Sequence, residues 1–502
     1  MGVIAKQSIR GTIVTYLGIA VGFVTTFFVL TRFLTSEEIG LARVLVDAAT
    51  LFIGLAQLGT NSSIIRFYPY FHDGDEDHGF FFWAMIVPLI GFILFALIYW
   101  ACYAPLSTWF GEKSPLFVDY YYFVLPLAFF MLYQSICENT CNVLMHIVVP
   151  RAVRELVVRI GLLALYLLYA FRVLSLDGFV IGLCANYAIA ALINLCYFFS
   201  LQPIRLRPDW DYLRANPALV RRYLVYTGFL IVSAVTGTMA PTLSSFFVTA
   251  KMGLGSTGVF AIATYMAVMV SVPYRSVTAI AAPQLAKAIK EQNLDECSRL
   301  IRQVTGNLLL IGGFILLVIW FNIDLIYQIL PNGATYASAR SVVLILGVSQ
   351  LILATFTICL TALNYSRYYA FSLLLSLLLT VSAILLNNYL VPVYGMDGAA
   401  LSNLISYGMY FLLTVVTVVA LSHIHVVNKR WWLILALLVA LFVLNWLWQT
   451  YLPALNIWLD SLLRSVILLG SGALIAYKSE LSPEINQQIA QSIVRRKSSN
   501  RK

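Results

Sequence analysis

Charge is what this sequence has least of. Lys, Arg, Asp and Glu make up 11% of its 502 residues, while 61% are hydrophobic. A soluble domain carries about 25% charged residues, so a chain this long would lack the polar surface to stay dispersed in water. That excludes an ordinary cytosolic enzyme, a disordered chain and a disulfide-built scaffold, and leaves an all-α polytopic membrane protein. Histidine is scarce as well, with five in the chain: His72, His78, His146, His423 and His425. There is no P-loop, no H-E-x-x-H and no G-x-S-x-G with triad partners in order, so no enzymatic activity, cofactor or metal is expected. The seven cysteines lie mostly in apolar runs. Cys137 and Cys141 share a helical face, which suits packing better than a closed metal site with its four ligands. The net charge is +10, but the basic residues are spread over short loops, which argues against nucleic acid as a partner.

What the sequence has in abundance is apolar runs. About 20 apolar residues cross a bilayer core as a helix. The chain divides into fourteen such stretches, roughly 11–34, 40–66, 79–103, 116–147, 152–174, 178–202, 223–249, 256–282, 304–330, 340–364, 368–392, 397–421, 431–452 and 456–477. With the N-terminus placed in the cytoplasm, 23 of the 32 Lys and Arg fall at inner ends and six at outer ends. Such an excess sets orientation, so both termini are expected in the cytoplasm and the protein in the plasma membrane. The acidic segment His72–His78 has D-x-D-x-D spacing but lacks the Gly and Glu of a calcium loop, and reads as solvated.

The longest polar stretch, 203–222, divides the runs into lobes at 1–202 and 223–424, each of six spans. Two further spans occupy 425–478 and a basic tail 479–502. The lobes look like parallel repeats: Arg32 and Gly40 in one correspond to Lys251 and Gly258 in the other, at offsets of 219 and 218. Ser482-Pro483-Glu484 reads as the start of a surface helix able to meet membrane lipids, or else of a disordered tail.

Polar residues inside spans usually face a bundle interior or a wet cavity. In the second span Arg43, Asp47, Thr50, Gly54, Gln57 and Asn61 follow 4-3-4-3-4 spacing, one continuous helical face expected to line a lumen or, as the second choice, a buried seam. Gln134, Glu138, Asn142 and His146 form a second face at four-residue steps. Arg154, Glu155 and Arg159 open the fifth span, and Arg275 lies in the eighth. The structural alternative to a cavity role for these charges is that Glu138 neutralises Arg159. The candidate cavity residues are therefore Arg43, Asp47, Gln57, Asn61, Glu138, Arg154, Arg159 and Arg275. Asp460 and Arg464 read as a local i,i+4 pair. Pro241 and Pro273 are candidate helix breaks, and Gly18-x-x-x-Gly22 permits close packing.

The segments LTSEEIGLARVL at 34–45 and LAQLGTNSSIIRFYP at 55–69 resemble the opening of bacterial polysaccharide-biosynthesis membrane proteins. These are oligosaccharide flippases of the multidrug/oligosaccharidyl-lipid/polysaccharide exporter superfamily. AAPQLA at 281–286 resembles the matching point of the second half. The resemblance implies a transporter moving an undecaprenyl-diphosphate-linked sugar unit between leaflets of the bacterial inner membrane by alternating access. It further implies lipid-linked oligosaccharide and membrane lipids as partners, a proton or sodium as coupling ion, and a polysaccharide polymerase or ligase as neighbour. Cavity cations such as Arg43 and Arg275 would hold the diphosphate. The alternative within the superfamily is a multidrug exporter. Many of these carry an embedded Asp and a Pro in the first span, and 11–31 has neither.

Overall fold

The computed structural model describes residues 14–15, 17–71, 77–201, 207–451, 456–483 and 486. Every regular element among them is helical. Nine helices among the described residues are long and apolar enough to cross a membrane, and a shorter apolar helix, α1 (Leu17–Phe33), precedes them. The protein is thus multi-pass. The expected end of the first span at 11–13, the acidic residues 72–76 and the tail beyond Asn486 lie outside the described residues.

The chain forms two compact units, Met1–Ala261 and Ile262–Lys502. In the first, α2 (Ser36–Ala56) starts on a capping box: Thr35 Oγ1 accepts from the Glu38 N–H, and the Glu38 carboxylate accepts from the Thr35 N–H. It ends where Leu58 and Gly59 enter the left-handed region, at φ 45° and 71°. The chain resumes as α3 (Thr60–Phe71), so the expected second span is two helices rather than one. α4 (Phe80–Ala101) turns Ile93, Leu97 and Trp100 outward. An apolar face of that kind stays exposed only against lipid.

α5 (Val124–Val143) packs on α8 (Leu176–Leu201), with α6 (Val148–Ala152), a π-helical turn Val153–Val157 and α7 (Val158–Ala170) between them in sequence. α9 (Pro217–Met252) packs on α2 and runs through Pro241 without a break. The turns around Gly40 and Gly258 touch. A Cβ on Gly40 would lie 2.0 Å from the Leu254 carbonyl oxygen, and one on Gly258 1.9 Å from that of Ser36. Only hydrogen at both positions lets α2 and α10 (Leu254–Val268) cross so closely.

The second unit continues through α11 (Val272–Lys290), which Pro273 opens from within its first turn after a 3₁₀ turn, as its fixed φ allows. α12 (Leu294–Phe321) is capped by Asn293, whose Oδ1 accepts from the Glu296 N–H at 3.0 Å. α13 (Arg340–Tyr365) leads to α14 (Tyr369–Ser422), two spans joined at Gly395, whose φ of 60° and ψ of −132° suit glycine. α15 (Lys429–Tyr451) and the segment Ile457–Lys478 complete the unit. Leu309, Leu317 and Phe321 of α12 form one core with Ile434, Leu438 and Leu441 of α15. The last two spans are therefore packed on this unit rather than appended to it.

Candidate functional site

The polar groups of the first unit separate into two sets. On α2, Arg43 Nε donates to Asp47 Oδ2 at 2.8 Å, with Asp47 buried. Thr50 bonds back to the Val46 carbonyl. Beyond the break, Asn61 Nδ2 donates to Gln57 Oε1 at 2.7 Å and to Ser135 Oγ at 3.0 Å, tying α3 to α5. The expected continuous face thus becomes two local pairs, because the left-handed Leu58-Gly59 step ends one helix and re-aims the next.

The second set is a chain of charges. Arg154 Nη1 reaches Glu138 Oε1 at 2.7 Å, and its Nε lies 3.4 Å from Glu155 Oε1. Arg159 Nη2 donates to Glu155 Oε2 at 2.9 Å and Nη1 to the Gly18 carbonyl at 2.7 Å. Glu138 therefore pairs with Arg154, not with Arg159 as the structural alternative had it. Arg154 sits in the π-helical turn Val153–Val157, where the wider repeat means that a 3.6 period no longer fixes which of Arg154 and Arg159 faces Glu138. Glu155, left out of the candidate residues, is the centre of the network. The signal for it was its i,i+4 spacing to Arg159.

α1 lies against this chain of charges. A Cβ on Gly18 would sit 2.3 Å from the Glu155 carbonyl oxygen, and one on Gly22 would sit 2.7 Å from Arg159 Nη1. The Gly-x-x-x-Gly spacing thus gives Arg159 its backbone acceptor. Two arginines face two glutamates, so the network is formally neutral. Its accessible cation is Arg154, whose side chain is 48% exposed, against 30% for Arg159.

The remaining candidates lie apart. Arg275 belongs to the second unit, exposed on α11. Gln134 and Glu138 are buried on α5, but that helix ends at Val143, and His146 beyond it meets the Tyr197 hydroxyl at 3.1 Å instead of extending the face. Arg464 and Asp460 form the expected pair at 2.8 Å, with Arg464 buried. No group of three or more His, Cys, Asp and Glu residues that could hold a metal ion occurs among the described residues.

Chemically, this arrangement can offer two half-exposed guanidinium groups to an anion and several amides to hydroxyls, with the carboxylates already engaged. The fold is similar to that of the lipid II flippase MurJ in an inward closed conformation, with a TM-score of 0.69 at 13% identity over 94% of this chain and 99% of that one. It is also similar to an inward-facing multidrug resistance MATE family transporter of the MOP superfamily, with a TM-score of 0.60 at 13% identity over 82% and 99%. A MOP superfamily transporter from Pyrococcus furiosus matches with a TM-score of 0.56 at 14% identity over 84% and 97%. At these identities the likeness is one of fold. No curated protein sequence matches the chain significantly. The family model described as polysaccharide biosynthesis protein matches residues 4–289. More than half of the chain is covered, and the chain belongs to the polysaccharide biosynthesis protein family.

Proposed function

We propose that this protein flips an undecaprenyl-diphosphate-linked oligosaccharide, the repeat unit of an O-antigen, capsule or other polysaccharide, from the cytoplasmic to the periplasmic leaflet. It does so by alternating access, with fourteen spans, two six-helix lobes at 1–202 and 223–424 and both termini cytoplasmic. The observation that carries the reading is the ion-paired network Glu138–Arg154–Glu155–Arg159, set within apolar helices of a chain whose residues 4–289 match the polysaccharide biosynthesis family. Such groups persist in a membrane interior where a polar substrate passes. Arg43 and Arg154 are cations of the first unit for the diphosphate, Arg275 offers one in the second unit, and Asp47, Gln57 and Asn61 meet sugar hydroxyls. A polymerase or ligase would receive the flipped unit on the far side.

The test is translocation of labelled lipid-linked oligosaccharide in vesicles holding the purified protein. Flipping above the rate of empty vesicles is expected; equality with them overturns the proposal. Cysteines at 104–114 and 331–338 should label from outside, and those at 207–222 should not. Labelling at Arg214→Cys would reverse the direction of transport.

The second reading, an ion-coupled multidrug exporter, draws on the buried carboxylates Asp47, Glu138 and Glu155 and on the likeness to MATE transporters. Each of these carboxylates already holds an arginine at 2.7–2.9 Å, which leaves little negative charge for a cationic drug. Proton- or sodium-driven efflux of a cationic dye, without flipping of the lipid-linked sugar, would establish it instead.

A further inference from the structure

A group of cations without lining carboxylates lies in the second unit, among residues the transport reading does not use. A cavity of about 210 Å³ is lined by Arg299, Arg302 and Asn307 of α12 and by Asn428, Arg430 and Trp431 at the start of α15. The strap Leu481–Pro483 closes one side. Hydrogen bonds hold all three walls. The His425 N–H donates to Ser298 Oγ at 3.0 Å, Ser482 Oγ donates to Asn307 Oδ1 at 2.6 Å, and Asn428 Oδ1 accepts from the Trp431 N–H at 2.9 Å.

No described carboxylate in the lining opposes the charge of Arg302 and Arg430. Glu296 engages Arg299 through two hydrogen bonds at 2.8 and 2.6 Å, but it lies outside the lining. Arg302 donates its Nε to the Ser298 carbonyl at 3.0 Å, which fixes its stem. Neither Arg302 nor Arg430 forms an ion pair among the described residues, and no described carboxylate lines the cavity. The Trp431 Nε1–H is buried without an acceptor. Two guanidinium groups and an idle N–H donor around one space are the donor set of a phosphate site.

Depth identifies what carries the phosphate. The apolar part of α12, from Val304 to Phe321, rises about 27 Å at 1.5 Å per residue, close to the roughly 30 Å of a bilayer core. Arg299 and Arg302 stand just before that stretch, at the level of lipid headgroups. α15 begins Asn428-Lys429-Arg430-Trp431-Trp432, the mixture of cations and tryptophans that sits at such an interface. Ile434 and Leu481 add apolar wall beside the polar one. We propose that this cavity binds the phosphate of an anionic phospholipid headgroup and so ties the penultimate span and the strap to the membrane surface. Free phosphate shares the chemistry but has no use for the apolar wall.

The experiment reconstitutes the full chain in vesicles of phosphatidylglycerol and phosphatidylcholine, extracts it in mild detergent and counts retained lipids by native mass spectrometry. Wild type should retain phosphatidylglycerol over phosphatidylcholine. The double variant Arg302→Gln with Arg430→Gln should weaken that retention about 25-fold, at about fivefold per cation. Removing the same charge at Lys287→Gln with Lys290→Gln should leave it unchanged. If the double variant does not fold, Trp431→Phe keeps the ring, removes the N–H and should weaken retention about tenfold. Displacement of the lipid by millimolar inorganic phosphate, with equal loss in Arg302→Gln, would assign the cavity to free phosphate and overturn the lipid. Unchanged retention in the arginine and tryptophan variants, or equal loss in the lysine pair, would overturn the site altogether.

Discussion

Arg154 and Arg159 on one side, and Arg302 and Arg430 on the other, answer the same problem differently. The first two sit in a helix that enters the apolar bundle, and both of their guanidinium groups are matched: Glu138 and Glu155 supply carboxylates and Gly18 supplies a carbonyl. The second two stand at the end of the apolar stretch of α12 and at the start of α15 and have no carboxylate partner among the described residues. A buried guanidinium without a partner costs several kcal/mol, roughly, whereas one at the headgroups meets water and lipid phosphate. Pairing thus separates arginines whose charge is already shared with carboxylates from arginines that remain open to an anion, with Arg154, 48% exposed, matched yet still accessible to one. Arg275, exposed and in no ion pair among the described residues, belongs with the second kind.

The largest effect should come from breaking the matched set. Glu155 has its side chain 7% exposed and touches both arginines, so Glu155→Ala strands Arg159 on a single carbonyl. We expect a loss of about 3 kcal/mol, read as a fall in melting temperature and in membrane protein level. Glu155→Met with Arg159→Leu should recover most of the loss. A double variant no more stable than Glu155→Ala would show that the network is not an energetic unit. Close in size is Gly258→Ala, whose methyl would meet the Ser36 carbonyl at 1.9 Å. Separating α2 from α10 should cost about 1–3 kcal/mol, checked by the same melting curve.

Arg275 tests the open kind. Arg275→Ala should lose most of the flipping of labelled lipid-linked oligosaccharide with little change in melting temperature. Arg275→Lys should lose part of it, since an ammonium keeps the charge but not the two parallel hydrogen bonds. Full activity in Arg275→Ala would leave it as an anchor at the headgroups. Arg43→Ala lies between the kinds, because Asp47 holds the guanidinium at 2.8 Å while a fifth of the side chain stays exposed. Flipping should fall with protein level near normal; a parallel fall of both would place Arg43 with the structural arginines.

How much of this was legible follows from sequence distance. The helical class, the Asp460–Arg464 pair and the close packing at Gly18 and Gly22 are local, and spacing alone carries them; Arg43 and Asp47 were read as members of a continuous face rather than as the pair they form. The Glu138–Arg154 pair is not local, and the π turn between Arg154 and Arg159 breaks the period on which any such forecast rests. The end of α2 at Leu58-Gly59 was merged into one span although Thr60-Asn61-Ser62-Ser63 follow it, a polar cue that the apolar runs on either side outweighed. Gly40 and Gly258 were visible as corresponding positions, but nothing in a repeat says that its copies touch. Arg302 and Arg430 were counted as loop charges. The cue for them was the Asn428-to-Trp432 run, which marks an interface, though not the cavity that α12 completes.

The smallest effect is expected where pairing happens in water. Asp209 caps the short helix Trp210–Ala215 by accepting from the Tyr212 N–H at 2.9 Å, and His78 Nδ1 lies 3.1 Å from its other oxygen. The Tyr212 N–H first, and His78 second, hold the Asp209 carboxyl below the ordinary carboxylate range. A depressed folded-state value means stability that is complete above the unfolded value, about 3.9, and that disappears as pH falls through the lower folded one. From pH 7 down to about 5 this carboxyl should therefore contribute nothing to any change in melting temperature; its share is lost below about pH 4. Asp209→Asn keeps the cap, since asparagine serves as well at an N-cap, and removes only the charge. The variant should melt slightly below wild type at pH 7 and coincide with it at the acid end. A gap that persists in acid would mean that the carboxylate acts through packing, and that exposed pairs in this chain are worth more than their place in water allows.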